Sequence, residues 1–268
     1  MNGKIAFVWS SDGGDMGYLK YSIASVDRHC SVSHDFYILT KPEVDLREIE
    51  HRFKINRIDP TTQLKELGII EHQHFGKWKL PIFYKLTIPF FDIFKDYSTV
   101  CSLDSDLLVL NGGSGSIDLL KGYPLGDYEI AGASDQYRDG MRCFALTEND
   151  VPEDLREELQ ARIWSKAGTK LRNYINVGFL IWNVNKIDIE WLKRRVASFW
   201  TARVNNPTSF HFPEQDFANS MMLVDAGLSI RFNCLGGTKY NEKYICARHY
   251  VGRHKAEMIE LGRKTYGF

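Results

Sequence analysis

A chain of 268 residues with 44% hydrophobic and 25% charged residues has the balance of a folded domain and is neither disordered nor fibrous. Its 34 Lys and Arg are offset by 34 Asp and Glu, so the net basic field of a nucleic-acid binder is missing and no nucleic-acid partner is expected. No apolar run reaches the roughly 18–20 residues of a membrane span, and Ile5 to Trp9 is too short for a signal-peptide core.

Residues 4–10 (KIAFVWS) read as a strand that breaks at Ser11-Asp12-Gly13-Gly14. Residues 16–29 carry Met16, Leu19, Ile23 and Val26 at helical spacing. Residues 35–40 form a second strand stopped by Lys41-Pro42, residues 44–53 a helix, and residues 54–58 a third strand. Residues 79–94 are predicted helical up to a break before Pro89, and residues 98–110 place two apolar runs around a pair of aspartates. A strand over 128–133 ends in Ser134-Asp135, and the charged stretch 147–170 reads as an exposed helix with Pro152 and Glu153 in its first turn. Residues 174–184 return to strand character, 187–200 form an amphipathic helix, and 214–223 a short one.

Strands that alternate with helices predict βαβ units, hence an α/β fold with a Rossmann-like, mainly parallel sheet covered on both faces. Ligands of such sheets bind at the carboxyl ends of the strands. No repeat or linker divides the chain, so residues 1–268 are read as one domain. The segment 140–172 is either a lid or acceptor insertion, or a helix covering the sheet edge. The five cysteines are scattered and odd in number, without a C-x-x-C, which predicts free thiols in a reducing compartment and a cytoplasmic location. Peripheral attachment to a membrane is compatible with that reading.

Asp104 and Asp106 interrupt an otherwise apolar stretch, and on an extended segment their carboxylates share a face. Two like charges there need compensation, and carboxylate oxygens suit a hard divalent cation that could in turn hold a diphosphate. The alternative is a strand-end turn whose aspartates cap backbone amides. Residues 249–255 (HYVGRHK) supply a histidine as a third ligand, Gly252 for close backbone approach, and Lys255 as a point charge for phosphate; a solvated basic stretch is the other reading.

In combination these segments resemble glycosyltransferase family eight, retaining enzymes of the GT-A fold that include lipopolysaccharide galactosyl- and glucosyltransferases and glycogenin. Phe83-Tyr84-Lys85-Leu86 is similar to the helix before the metal motif, and Asp104-Ser105-Asp106 to the Asp-x-Asp that binds manganese and the diphosphate of a nucleotide sugar. Ala131-Gly132-Ala133-Ser134-Asp135 resembles the strand whose last aspartate holds donor-sugar hydroxyls, and Asn176-Val177-Gly178 the Asn-x-Gly segment beside that sugar. Residues 214–219 (EQDFAN) resemble an Asp-Gln-Asp segment, with Glu214 at its usual first aspartate. His249-x-x-Gly252-x-x-Lys255 resembles the C-terminal metal and phosphate motif, followed here by Ala256-Glu257 instead of Pro-Trp.

The resemblance implies transfer of glucose or galactose from a UDP-sugar to an acceptor hydroxyl on a glycan, a lipid-linked glycan or a protein. It implies a Mn2+ ion, or Mg2+, on Asp104, Asp106 and His249, with Ser105, Gly252 and Lys255 at the diphosphate and Asp12 at the base. Lys85, Asp135 and Asn176 would fix the donor sugar, and Gln215 would lie nearest its reacting face. Each has a plainer reading: Lys85 as a surface lysine, Asp135 as a turn cap, Asn176 satisfying a strand-end amide, and Gln215 as an ordinary first-turn helix residue. Trp78 or Trp164 would stack on an acceptor sugar, or belong to the core like Trp182, Trp191 and Trp200; His72 and His74 read as a solvated loop, with metal ligation the other reading by composition. The rival functions are a nucleotidyltransferase, which would want a basic Gly-rich phosphate loop where Ser11-Asp12-Gly13-Gly14-Asp15 is acidic, and a non-catalytic nucleotide-sugar or carbohydrate-binding protein.

Overall fold

The computed structural model describes residues 3–69, 79–110, 117–136, 151–164, 174–205 and 212–267. Apolar runs bounded by turn residues fold as strands: β1 (Ile5–Ser10), β2 (His34–Leu39), β3 (Ile55–Ile58), β4 (Thr99–Leu103), β5 (Leu107–Val109), β6 (Ile130–Ser134), β7 (Ile175–Trp182), β8 (Val224–Leu228), β9 (Cys234–Leu235) and β10 (Ala247–His249). Among the described residues, seven of them make one sheet in the order β3-β2-β1-β4-β7-β6-β8, and β5-β10-β9 make a second. The larger sheet is parallel except at β7, which runs antiparallel to both β4 and β6. Every side chain of β7 is buried, as a continuous apolar run at the centre of a covered sheet requires.

The helices are α1 (Met16–His29), α2 (Arg47–Glu50), α3 (Thr61–Glu66), α4 (Glu153–Leu159), α5 (Ile189–Asn205), α6 (Pro213–Met221) and α7 (Lys255–Tyr266). One face of the sheet packs Ala6, Val8, Leu180 and Trp182 under α5 and α6; the other packs Phe7, Trp9, Cys101 and Ile181 under α1. Between them, the bidentate pair of Arg195 and Glu129 (both N–O distances 2.7 Å) is buried, and Glu129 also accepts from the Leu223 amide at 2.9 Å. It ties α5 to the start of β6 and the end of α6.

Several expectations need correction. The segment 79–94 is not an α-helix ending before Pro89: a 3-10 helix runs over Leu80–Phe90 and another over Asp92–Asp96. Pro89, inside the segment, lacks the N–H that an α-helical ladder needs, whereas Pro81 is tolerated in the first turn, and Thr87 turns its hydroxyl back on the Tyr84 carbonyl at 2.7 Å. The helix expected over 44–53 contracts to α2. The described part of 147–170 is not solvated all round, because Val151, Leu155, Leu159 and Ile163 insert into the core. The acidic side of α4 meets Arg194 through Asp154 (2.8 Å) and Glu158 (3.0 Å). Trp78, His72, His74, Cys143, the Trp164 side chain and most of 140–172 lie outside the described residues. Trp182, Trp191 and Trp200 are core, and the described cysteines (Cys30, Cys101, Cys234, Cys246) are buried free thiols. No helix among the described residues is long and apolar enough to cross a membrane.

Candidate active site

The reversal of β7 brings its first residues to the same edge as the carboxyl ends of β1, β4 and β6. The loop after β1 (Ser11 to Asp15), Asp104 after β4, Asp135 after β6 and Asn176 in β7 therefore converge. Between Gly132 and Ala133 the β6–β7 register jumps, from Gly132 opposite Leu180 to Ala133 opposite Asn176. This bulge releases backbone groups at Val177 and Gly178, as bulges beside functional sites do. The Gly178 carbonyl accepts from the Asp104 amide at 2.8 Å, and the Val177 carbonyl accepts from Lys85 Nζ at 3.2 Å.

Asp104 and Asp106 do not lie on one extended strand. They form a turn where the chain leaves the large sheet at β4 and enters the small one at β5. Their carboxylates still meet, because the antiparallel β5–β10 ladder sets His249 opposite Leu107 and the Tyr250 amide donates to the Asp106 carbonyl at 2.8 Å. His249 Nε2 lies 3.0 Å from Asp106 Oδ1 and 3.6 Å from Asp104 Oδ2. One ligand atom from each of the three residues falls within 4.8 Å of the others, a donor set of carboxylate oxygens and one imidazole suited to a hard or borderline divalent metal. Lys85 Nζ reaches Asp104 Oδ1 at 2.7 Å, and Lys255 Nζ reaches Asp106 Oδ2 at 2.7 Å, so each carboxylate carries a lysine as counter-ion.

The electrostatics follow. Burial alone would raise the Asp106 carboxyl, but His249 and Lys255 outweigh it and hold the group well below the usual carboxylate range. Burial would lower His249, yet Asp106 and then Asp104 push its ring above the ordinary imidazole value. Burial also works against the Lys255 ammonium, and Asp106 again prevails and raises it.

Behind the ring, His249 Nδ1 lies 3.1 Å from Asn233 Oδ1, and Asn233 donates to Asn176 Oδ1 at 2.9 Å. Asn176 donates to Asp135 Oδ2 at 3.3 Å, and Gln215 Nε2 donates to the same oxygen at 2.8 Å. Gln215 Oε1 accepts from the Val177 amide at 3.3 Å. A continuous polar chain thus runs from His249 to the glutamine on the first turn of α6. Asn233, fully buried, was missed by sequence reasoning: a lone asparagine in RFNCLGG carries no motif, and only its buried position reveals it.

Two cavities of about 430 Å3 each share Asp104, Asp106, Glu214 and Lys255 as a common wall. The first reaches Asp12, Tyr18, Lys79, Lys85 and Ser105; the second reaches Asp135, Asn176, Gln215, His249 and Gly252. Asp12 accepts from the Gly14 amide at 2.9 Å and pairs with Lys79 at 3.1 Å. Gly252 is not crowded by any neighbour; its φ of +56°, unfavourable to other residues, sets the turn into α7. Lys85 is not a surface residue, since only 4% of it is exposed. The Asn176 oxygen does accept the nearby Gly178 amide (2.9 Å), while its nitrogen serves Asp135. Burial pushes the Glu214 carboxyl up to about 7 against the pull of Lys85, and its Oε2 is shielded from water without a hydrogen-bond partner.

The family model described as glycosyl transferase family 8 matches residues 16–256. The chain belongs to that family. Among solved structures it is similar to LgtC, a galactosyltransferase in complex with donor and acceptor sugar analogues, at 16% identity and TM-score 0.58 over 97% of this chain and 95% of that one. It is also similar to the bifunctional glycosyltransferase WbbM (17% identity, TM-score 0.62, 97% of this chain and 50% of that one). A third match is the glycosyltransferase GlyE of Streptococcus pneumoniae TIGR4 (16% identity, TM-score 0.59, 97% of this chain and 60% of that one). The chain thus spans about half of WbbM but nearly all of LgtC. No curated protein matches it. At these identities the likeness establishes the GT-A-type fold, and the family establishes a glycosyltransferase; nucleotidyl transfer is set aside.

Proposed function

We propose that this glycosyltransferase moves a hexose, glucose or galactose, from a UDP-sugar to an acceptor hydroxyl with a divalent metal, Mn2+ or Mg2+, and retains the anomeric configuration. The supporting observation is the cluster of Asp104, Asp106 and His249, whose two aspartates stand in the wall shared by two cavities. Bound there, the metal would supply Lewis-acid stabilisation of charge on the leaving diphosphate. Lys255 adds a positive charge on the same side, and Asn233 holds the His249 ring in register. The cavity along the loop after β1 suits the nucleotide, with Asp12 a hydrogen-bond acceptor for the base. The other suits the sugar, where Asp135, Asn176 and Gln215 present carboxylate and amide groups to its hydroxyls.

Gln215 is the side chain assigned to the reacting face. An amide is a poor nucleophile, and here its carbonyl oxygen already accepts from the Val177 amide while its nitrogen holds Asp135. This favours departure and attack on one face of an oxocarbenium-like centre, with the amide dipole stabilising positive charge, over a covalent intermediate. The acceptor would be a glycan, a lipid-linked glycan or a protein. The test is turnover of a panel of UDP-hexoses with an oligosaccharide acceptor, reading the new linkage by proton NMR. An α-linked product is expected from an α-linked donor; a β-linked product would overturn retention, and turnover only with another class of donor would overturn the UDP-sugar reading.

A further inference from the structure

β9 is two residues long, and successive strand side chains face opposite ways. Leu235 lines the sugar-side cavity of the cleft, whereas Cys234 lines a separate cavity of about 230 Å3 with Arg231, Tyr240, Asn241 and Tyr244. None of these four lines either cavity of the cleft. Tyr240 and Tyr244 are 46% and 60% exposed, a concentration of aromatic surface in which the Lys243 ammonium stands 4.8 Å from the Tyr244 ring centre. The Arg231 Nε is shielded from water with no hydrogen-bond partner, and among the described residues no carboxylate pairs with its guanidinium. The neighbouring Arg248 also has an unpartnered Nε, but its guanidinium has a carboxylate nearby, Glu242 at 3.6 Å.

The chemistry of this lining is specific. Tyrosine faces take the apolar C–H face of a sugar ring, and a guanidinium fork takes a carboxylate or phosphate through two hydrogen bonds. The volume is below the roughly 300–1,000 Å3 of pockets for drug-sized ligands, so it suits one monosaccharide-sized unit and not a nucleotide sugar. We propose that this cavity binds an anionic saccharide unit, its ring against Tyr240 and Tyr244 and its carboxylate or phosphate on Arg231. It acts separately from the donor cleft, and its test involves no turnover, so it stands or falls independently of the UDP-sugar assignment.

The experiment is a titration of the full chain with D-glucuronate, glucose 6-phosphate and glucose, followed by saturation-transfer NMR. It is run on wild type, Arg231→Gln, Tyr244→Ala and Asp106→Ala, each checked for folding by circular dichroism. The structure predicts that at least one anionic sugar binds, that glucose binds more weakly, and that Arg231→Gln costs about tenfold or more in affinity. Tyr244→Ala, at an exposed position, weakens binding without touching the fold and serves if Arg231→Gln fails to fold. Asp106→Ala, or saturation with UDP and manganese, leaves binding unchanged. Binding of glucuronate alone assigns a carboxylate sugar, and of glucose 6-phosphate alone a phosphorylated one. Absence of binding by both anions at millimolar concentration would overturn the proposal. So would binding that survives both cavity variants, or binding displaced by UDP.

Discussion

Gly178 packs closely against the His249 ring. A Cβ built there would run into the ring at Cε1 and Nδ1 and would stand 3.0 Å from Asn176 Oδ1. Carbon atoms rest about 3.5–4.0 Å apart, so in Gly178→Ala the ring must retreat by about an ångström or more. It has little room to do so, being pinned by Asp106 at 3.0 Å on one nitrogen and Asn233 at 3.1 Å on the other. Overpacking of this kind costs about 1–3 kcal/mol, and losing the support of a metal-ligand histidine costs about 10–100-fold in metal affinity. The two scales agree, since about 1.4 kcal/mol is a factor of ten. Calorimetric titration of manganese into wild type and Gly178→Ala, with urea denaturation of both metal-free proteins, reads the two effects separately. Manganese affinity within about twofold of wild type, in a variant that folds, would refute the placement of His249 as a ligand.

Other perturbations have equally definite outcomes. The folded protein keeps a proton on Glu214 up to about pH 7, while the ordinary carboxyl value is 4.5. Between those values the folded state binds more protons than the unfolded one, so this group's contribution to stability falls as pH rises, by about 3 kcal/mol in all. Glu214→Gln should therefore stabilise the metal-free protein increasingly from about pH 4 to about pH 8; thermal unfolding showing a pH-independent difference would contradict the burial argument. Glu129→Ala strands the buried Arg195 charge and should cost about 3–5 kcal/mol in urea denaturation, against well under 1 kcal/mol if the pair were solvated. Asn233→Ala removes the partner of His249 Nδ1 and should weaken manganese binding by about 10–100-fold while excess manganese restores activity; a loss of activity that excess metal does not restore would place Asn233 in another role.

How far the sequence revealed this arrangement depended on the kind of signal. Long periodic segments were legible, α1 over Met16–His29 and β7 within 174–184 among them, because apolar spacing follows directly from burial. That Asp104, Asp106 and His249 belong together was legible because they occur in recognisable motifs, but the geometry of their cluster was not. The turn between two sheets and the β6–β7 bulge arise from tertiary pairing that no local pattern encodes. β8 was missed because Asp225 and Gly227 break any apolar run, and β9 because two residues make no pattern. Lys85 looked ambiguous in sequence, since a lysine in an apolar helix becomes meaningful only when its ammonium is seen buried against Asp104. Asn233 and the crowding at Gly178 carry no sequence signal, because both depend on which distant side chain arrives beside them.

The most direct test of the account is release of UDP from a UDP-hexose, measured with manganese, with chelator, and in Asp106→Ala. Asp106 touches both His249 and Lys255, so its loss should abolish the metal site while leaving the nucleotide-side loop in place. The account predicts manganese-dependent release that chelator stops and that falls by about 100-fold or more in the variant. Release that proceeds at the wild-type rate with chelator, or in Asp106→Ala, would contradict it.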